Sequence, residues 1–435
     1  MLSRAVLSGA VAGAFLIAAS VPAAAVVSAP AVAGPSGAPG FSAVADSVRY
    51  QQQWVLGMLG VGSAWLAARG ANVTVAVIDS GVDPNVSDLA GSVIPGRDYT
   101  GLKTSPANPH WGEHGTWMAS IIAGHGHDGG TAGIIGVAPQ AKILSVRVIP
   151  DMDDPSYQEY DREPEQQIQR ELADGIMEAV RDHVQVISMS IGYSEPSGVV
   201  RAALQLAYSS GIVLVASSGN SGNNDEQHKH TLAPVSFPAE YPGVLSVGAV
   251  GPDRQATSFS SANLSVRVAA PGQAVPAEGR DGLYYTVDGT SPACALVAGV
   301  AALIKSRYPG ISPALVIQAL TTTAHRGTSG YNFLTGFGIV DAGAALAEAG
   351  RLTGERPGRS QVPLSSHFGD GAAAVPAAPV APRSAGRLVM FAALALLSFA
   401  TAAAGGLIVV LRRRRDSPRR PGRGAPPAPG PAPPG

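Results

Sequence analysis

Residues 75–83 read Val-Ala-Val-Ile-Asp-Ser-Gly-Val-Asp, and this stretch indicates the fold class. Its apolar half is continuous rather than alternating, which is typical of a strand buried on both faces of a parallel sheet. The whole apolar run covers residues 73–78, and comparable runs lie at residues 143–148, 186–190, 213–217 and 244–249. Helix-like patterns lie between or after them, at residues 168–180, 199–208 and 291–307. The sequence therefore predicts an α/β fold with a mainly parallel central sheet and helices on both faces.

The composition and charge of the chain exclude two classes of protein. Of the 435 residues, 46% are apolar and only 14% are charged, so neither a disordered protein nor a nucleic-acid-coating protein fits. The net charge of −1 is unevenly distributed, because residues 26–387 carry 22 Lys and Arg against 30 Asp and Glu. Since this acidic body repels polyanions, we expect no nucleic-acid partner.

Both ends of the chain carry export and membrane signals. Residues 1–25 combine Arg4, an apolar run at 5–19 and three alanines at 23–25, which is typical of a secretory signal peptide rather than of a membrane-spanning helix. Residues 388–411 are 24 positions without a charge. At 1.5 Å per residue they span about 36 Å, enough for one transmembrane helix.

These signals divide the rest of the polypeptide. Arginines 412–415 follow the apolar stretch, and the positive-inside rule places the basic, proline-rich tail 412–435 in the cytoplasm and the body outside the cell membrane. A nucleic-acid patch is the alternative interpretation of these arginines. Residues 26–47 and 351–387 are rich in Ala, Pro and Gly, so we expect flexible segments there. The folded domain is predicted at residues 48–350.

In a parallel sheet, ligands bind near the carboxyl ends of the strands, and three polar residues are candidates for such positions. Asp79 ends the first strand, and taken alone it is either a turn residue or an orienting acid. His114 opens a helix-like segment, and Ser291 begins an apolar helix where serine also serves as a cap. Together they follow the chain order Asp, His, Ser, one of the known orders of a serine-hydrolase triad.

Four sequence blocks resemble those of the subtilases, the subtilisin-like serine peptidases. They are Val-Ile-Asp-Ser-Gly-Val-Asp around Asp79, His-Gly-Thr at His114, Ser-Ser-Gly-Asn ending at Asn220, and Gly-Thr-Ser at Ser291; residues 336–342, Gly-Phe-Gly-Ile-Val-Asp-Ala, resemble the family's closing segment. The resemblance implies a subtilisin-like fold and a serine endopeptidase that acts on polypeptides. It assigns Ser291 as nucleophile, His114 as general base, Asp79 as orienting acid and Asn220 as oxyanion donor. It also implies that substrate lies against Ser190, Ile191, Gly192, Ser217, Ser218 and Gly219.

The chain departs from the subtilase pattern after the nucleophile. Many subtilases have Met or Phe directly after the serine and Pro four positions after it, whereas this chain has Pro292, which we place at the first helical position, and Ala295. Cys294, the single cysteine, is either a thiol nucleophile or, as we expect inside an apolar helix, a small buried residue.

The sequence specifies no cofactor. The pairs His125/His127 and His228/His230 are weak candidates for metal ligands. Structural calcium is frequent in subtilases, but the sequence does not locate a site for it.

Residues 50–65, from Tyr-Gln-Gln-Gln-Trp to Ala-Trp, resemble the lead-in of mycosins, membrane-anchored subtilases associated with type VII secretion. The signal peptide, proline-rich linker, C-terminal anchor and basic tail agree with that resemblance, which implies secretion-system components as partners. Mycosins commonly carry disulfides, and one cysteine cannot form one within the chain. The alternative function is a catalytically idle scaffold that stabilises a secretion complex.

Two further expectations concern folding and specificity. Residues 26–47 are too few for an independently folding prodomain, so we expect the domain to fold without one.

The segment 151–165 is interpreted either as a solvated, mobile loop or as an acidic surface that favours basic substrates. Its carboxylates belong to Asp151, Asp153, Asp154, Glu159, Asp161, Glu163 and Glu165.

Overall fold

The computed structural model describes residues 41–222, 232–325 and 330–354, and side chains from Val48 onward. In chain order the strands are β1 (Thr74–Asp79), β2 (Val93–Asp98), β3 (His125–His127), β4 (Ala132–Ile135), β5 (Lys142–Arg147), β6 (Val186–Met189), β7 (Val213–Ser217), β8 (Val244–Val250), β9 (Val268–Pro271), β10 (Val275–Glu278) and β11 (Tyr284–Val287). The helices are α1 (Phe41–Met58), α2 (Val61–Ala64), α3 (Glu113–Ala123), α4 (Tyr157–Tyr160), α5 (Glu165–Arg181), α6 (Gly198–Ser209), α7 (Thr290–Arg307), α8 (Pro313–Thr322) and α9 (Ala342–Gly354).

Seven strands form one parallel sheet in the order β2-β5-β1-β6-β7-β8-β9. Strand β1 lies in its interior, where Val75 is in register with Ile143 of β5 and with Val186 of β6. Two antiparallel pairs, β3 with β4 and β10 with β11, lie outside this sheet. The carboxyl ends of the central strands therefore meet at one edge, as the sequence pattern predicts.

Alternate residues of each central strand enter different cores. Val75 and Val77 belong to the core that includes α3 and α7, whereas Ala76 and Ile78 belong to the core that includes α5 and α6. Successive side chains of a strand point to opposite faces, so both faces of the sheet must be covered. The predicted arrangement of helices on both faces is confirmed.

The five predicted strand runs correspond to β1, β5, β6, β7 and β8, and the three predicted helices to α5, α6 and α7. Strand β2 was not predicted, because it contains Pro95 and Gly96 and is largely exposed. Strand β9 was not predicted either, since it reads Val-Ala-Ala-Pro, in which two small residues and a closing proline replace the larger apolar residues typical of a buried strand.

The ends of the folded domain differ from the prediction. Helix α1 begins at Phe41, so its first turns lie in the segment that we expected to be flexible, and α9 extends to Gly354 rather than to residue 350. The signal peptide 1–25, the remaining linker residues, the anchor 388–411 and the tail 412–435 lie outside the described residues. Within 41–222, 232–325 and 330–354, no helix combines the length and apolar character that crossing a membrane requires.

Candidate active site

Asp79 and His114 are joined at the carboxyl end of β1. The Asp79 side chain is almost fully buried, and its Oδ1 accepts the Ser80 amide at 2.7 Å and lies 2.7 Å from His114 Nδ1. A carboxylate only accepts hydrogen bonds, so the imidazole proton lies on Nδ1 and the lone pair on Nε2. The His114 side chain keeps 22% of its surface exposed, so its ring remains accessible from solvent.

A second carboxylate, Asp151, fixes the start of α3. Its Oδ2 accepts the amide of Glu113 at 2.9 Å, and its Oδ1 accepts the amide of His114 at 3.0 Å. These are two of the amides that a helix N-terminus leaves without an intrahelical partner, and an anion there also complements the helix dipole. Asp151 therefore positions the backbone of His114.

The loop after β1 completes the contact with α3. The Gly115 amide donates to Ser80 Oγ at 3.0 Å, and a Cβ on Gly115 would lie 2.0 Å from the carbonyl oxygen of Gly81. A glycine is therefore required directly after His114, which gives a physical reason for the His-Gly sequence.

Opposing effects set the protonation of this pair. Burial lowers the pKa of His114, whereas the neighbouring carboxylates of Asp79 and Asp151 raise it. The raising effects together are larger, so the net pKa lies above that of a free histidine. Burial raises the pKa of Asp151, against the lowering effect of the backbone hydrogen bond from His114. The site thus stabilises the imidazolium form of His114 more than water does for a free histidine.

The interpretation of residues 151–165 as a solvated, mobile loop is wrong for part of its length. Asp151 accepts the amides at the start of α3, and Asp154 is buried and forms an ion pair with Arg147 at 2.7 Å. Arg147 is itself buried and also contacts Asp98 at 2.7 Å. The cause is the buried arginine, whose charge needs carboxylate partners. Only four of the seven carboxylates are exposed, those of Asp153, Glu159, Asp161 and Glu165.

Ser291 is the second residue of α7 and is 7% exposed. Its carbonyl oxygen accepts a hydrogen bond from Ser190 Oγ at 3.4 Å, which places the start of α7 beside the residues that follow β6. The helix begins at Thr290, so Pro292 is its third residue and not, as expected, the first. Proline is still tolerated there, because the first four amides of a helix have no intrahelical acceptor.

Asn220 is oriented by Thr290. Its Oδ1 accepts both the amide and the hydroxyl of Thr290, each at 2.9 Å, so the two Nδ2 protons remain as donors. The Nδ2 atom lies 3.4 Å from the position of a Cβ on Gly289, which has φ +143°. Sequence analysis missed this role of Thr290, although the residue lies within the Gly-Thr-Ser block.

The residues expected to contact substrate follow two adjacent strands. Ser190, Ile191 and Gly192 follow β6. Ser217 is the last residue of β7, and Ser218 and Gly219 follow it. A Cβ on Gly192 would lie 2.4 Å from Ser236 Oγ, and one on Gly219 would lie 3.7 Å from Ser236 Cβ and 3.0 Å from Ser261 Oγ. Ser236 therefore lies between the two segments. Sequence analysis missed Ser236 and Ser261, because no local pattern marks them.

Cys294 is fully buried, and burial raises its pKa to about 12. Since the thiolate is the nucleophile, a thiol that stays protonated is unreactive, and the expectation of a small buried residue is confirmed.

The histidine pair in β3 does not converge on one point. The ring nitrogens of His125 contact the carbonyl oxygens of Gly126 and Ala90, whereas His127 Nδ1 contacts Asp88 at 2.7 Å. His228 and His230 lie outside the described residues. In the described part of the chain, no three His, Cys, Asp or Glu side chains are arranged to hold a metal ion.

Comparisons with known proteins agree with this geometry. The family model described as the subtilase family matches residues 70–338. Mycosin-1 of Mycobacterium tuberculosis is 34% identical over 332 residues, 67% of this chain and 72% of that protein. Subtilisin DY of Bacillus licheniformis is 33% identical over 281 residues, 64% of this chain and 92% of that protein. The solved MycP3 protease from the type VII (ESX-3) secretion system is 31% identical with a TM-score of 0.57, covering 67% of this chain and 87% of that one.

Proposed function

Because the chain belongs to the subtilase family of serine endopeptidases, we propose that it hydrolyses polypeptides through Asp79, His114 and Ser291. The observation that carries the assignment is the 2.7 Å contact between His114 Nδ1 and a buried Asp79 oxygen, which leaves the Nε2 lone pair for proton transfer. This prepared base favours an active peptidase over an idle scaffold, which has no need to fix an imidazole tautomer.

The proposed reaction proceeds through an acyl-enzyme. Ser291 Oγ attacks the carbonyl carbon of the scissile bond while its proton passes to His114 Nε2. The tetrahedral intermediate collapses, the C–N bond breaks, and His114 returns the proton to the leaving amine. A water molecule then hydrolyses the ester on Ser291 by the same sequence. Throughout, Asp79 stabilises the imidazolium that forms between the two proton transfers.

Asn220 is the proposed oxyanion donor. Thr290 holds its amide oxygen with two hydrogen bonds, so Nδ2 is positioned before the reaction and does not reorganise during it. The Ser291 amide and the positive end of the α7 dipole add to the stabilisation of the same oxygen.

The proposed substrate lies extended against the segments after β6 and β7, pairing its backbone with theirs. Glycines at 192 and 219 permit close approach, and Gly219 has φ +99°. Since Ser236 lies between the two segments, it would close the pocket for the residue before the scissile bond.

We further propose that the peptidase is anchored to the cell membrane, faces outside and serves a type VII secretion system. The similarity to Mycosin-1 and to structures from such systems supports this context. The sequence supports it through the predicted signal peptide 1–25 and the predicted anchor 388–411.

Labelling of the purified full chain by a fluorophosphonate tests the catalytic assignment. We expect labelling of the wild type, none of Ser291→Ala, and undiminished labelling of Ser210→Ala, a control that alters an exposed serine at the end of α6. Absence of labelling in a folded wild-type protein would leave the idle scaffold as the better account, and labelling that persists in Ser291→Ala would show that Ser291 is not the nucleophile.

A further inference from the structure

The β3–β4 hairpin, residues 125–135, presents three backbone carbonyl oxygens to one side chain. Arg49, on α1, donates from Nε to the carbonyl of Gly133 at 2.8 Å and from Nη2 to those of Gly130 and Ala132 at 2.8 and 2.9 Å. We refer to these three oxygens as the carbonyl cluster. A guanidinium has five donors and is always charged, so one cation satisfies the whole cluster.

The β3–β4 hairpin leaves room for this guanidinium. A Cβ on Gly126 would lie 2.6 Å from Arg49 Nη2, and Gly126 has φ +69°, so a side chain there is excluded by space and by backbone conformation. One turn further along α1, Gln52 exchanges hydrogen bonds with the backbone of Ile135, donating at 2.6 Å and accepting at 3.1 Å. Helix α1 therefore holds the β3–β4 hairpin through two side chains.

A second group of carbonyl oxygens is occupied in the same way. Lys305 is 6% exposed, and its ammonium contacts the carbonyls of Gly211, Pro309 and Ile311 at 3.1, 3.4 and 3.1 Å. In both places convergent backbone oxygens contact a cation that is covalently part of the chain. Backbone carbonyls are also ligands of Ca²⁺, which takes six to eight oxygens.

We propose that Arg49 is the built-in cation of the carbonyl cluster, so that the β3–β4 hairpin is ordered without a bound metal ion. Structural calcium, which is frequent in subtilases, does not fit at this cluster, because the guanidinium fills it. The cluster becomes a cation site only when Arg49 is replaced. This inference is independent of peptidase activity.

Amide hydrogen exchange of residues 126–135, measured in the full chain in EDTA and in calcium, tests the proposal. In the wild type we expect the same protection in both conditions. In Arg49→Glu a carboxylate faces three carbonyl oxygens, so exchange in EDTA should be about tenfold faster or more, and calcium should restore protection by bridging the carboxylate to the cluster. Arg201→Glu, the same change at an exposed position of α6, should leave this segment unchanged in both conditions.

Wild-type protection that falls in EDTA would overturn the proposal. So would an Arg49→Glu protein that is as protected as wild type in EDTA, or one that does not respond to calcium. If Arg49→Glu does not fold, Arg49→Gln decides, because it removes the charge without adding repulsion. Its segment should exchange faster in EDTA and recover with calcium more than with magnesium, which gives up its water reluctantly. Unchanged exchange in Arg49→Gln would also overturn the proposal.

Discussion

Replacing Asp79 by Asn separates the charge of the proposed orienting acid from its hydrogen bonds. Oδ1 accepts two bonds, from Ser80 and His114, whereas Oδ2 is buried and has no partner among the described residues. The amide oxygen of Asn can therefore take the Oδ1 position and retain both bonds and the tautomer of His114. The NH₂ group then lies where Oδ2 was, with no acceptor.

The magnitude follows from the lost charge and the unpaired donor. With the charges of Asp79 and a protonated His114 about 4 Å apart, their attraction at an effective dielectric constant of about 20 is roughly 4 kcal/mol. Since 1.36 kcal/mol is a factor of ten, kcat should fall about 10³-fold, or about 10⁴-fold if the amide rotates and inverts the tautomer. The buried NH₂ group should lower the free energy of unfolding by about 1–3 kcal/mol.

The pH dependence gives the sharper test. The Asp79 anion raises the pKa of His114, so its removal lowers that pKa, and His114 stays neutral to lower pH. In Asp79→Asn the acid limb of kcat/KM should therefore move to lower pH, measured with a peptide substrate, while urea unfolding reports stability. Asp153→Asn, an exposed change in the acidic segment, is the control. Near-normal turnover, or an acid limb that does not move, would refute the role of Asp79.

Three further changes test other parts of the site. Asn220→Ala should lower kcat about 10²–10³-fold with little change in KM, because the oxyanion donor acts in the transition state; a rise in KM alone would contradict this. Ser236→Gly should raise kcat/KM for substrates with a large side chain before the scissile bond relative to alanine, and an unchanged ratio would place the pocket elsewhere. Asp151→Asn should move the acid limb to lower pH, since one anion that raises the pKa of His114 is lost, whereas Asp153→Asn should not.

The sequence predicts the centre of the sheet better than its edges, for a physical reason. Strands β1, β7 and β8 are buried on both faces and read as continuous apolar runs, so their pattern alone is sufficient. Strand β2 pairs on one side only, with β5, and Ile94 is 42% exposed. An edge strand with partial burial has no such run, and its pairing is decided by tertiary contacts that no short window of sequence contains.

The residues proposed to carry the chemistry follow strand ends or begin helices, and those positions are readable from the chain. The residues that orient them are not. Thr290 fixes Asn220 from 70 positions away, and Asp151 fixes His114 from 37 positions away. Both act by contacts formed only when the sheet is assembled, so only the structure reveals them.

The acidic segment 151–165 shows why counting charges is insufficient. Its composition alone is compatible with a solvated loop or with a surface that attracts basic substrates. In the folded protein Asp154 forms an ion pair with the buried Arg147, and Asp151 accepts hydrogen bonds from the first amides of α3. These two charges therefore already have partners. Any attraction of basic substrates must therefore come from the exposed carboxylates, which salt screens over about 8 Å. We therefore expect the segment to act first through the position and pKa of His114, and only weakly through its remaining surface charge.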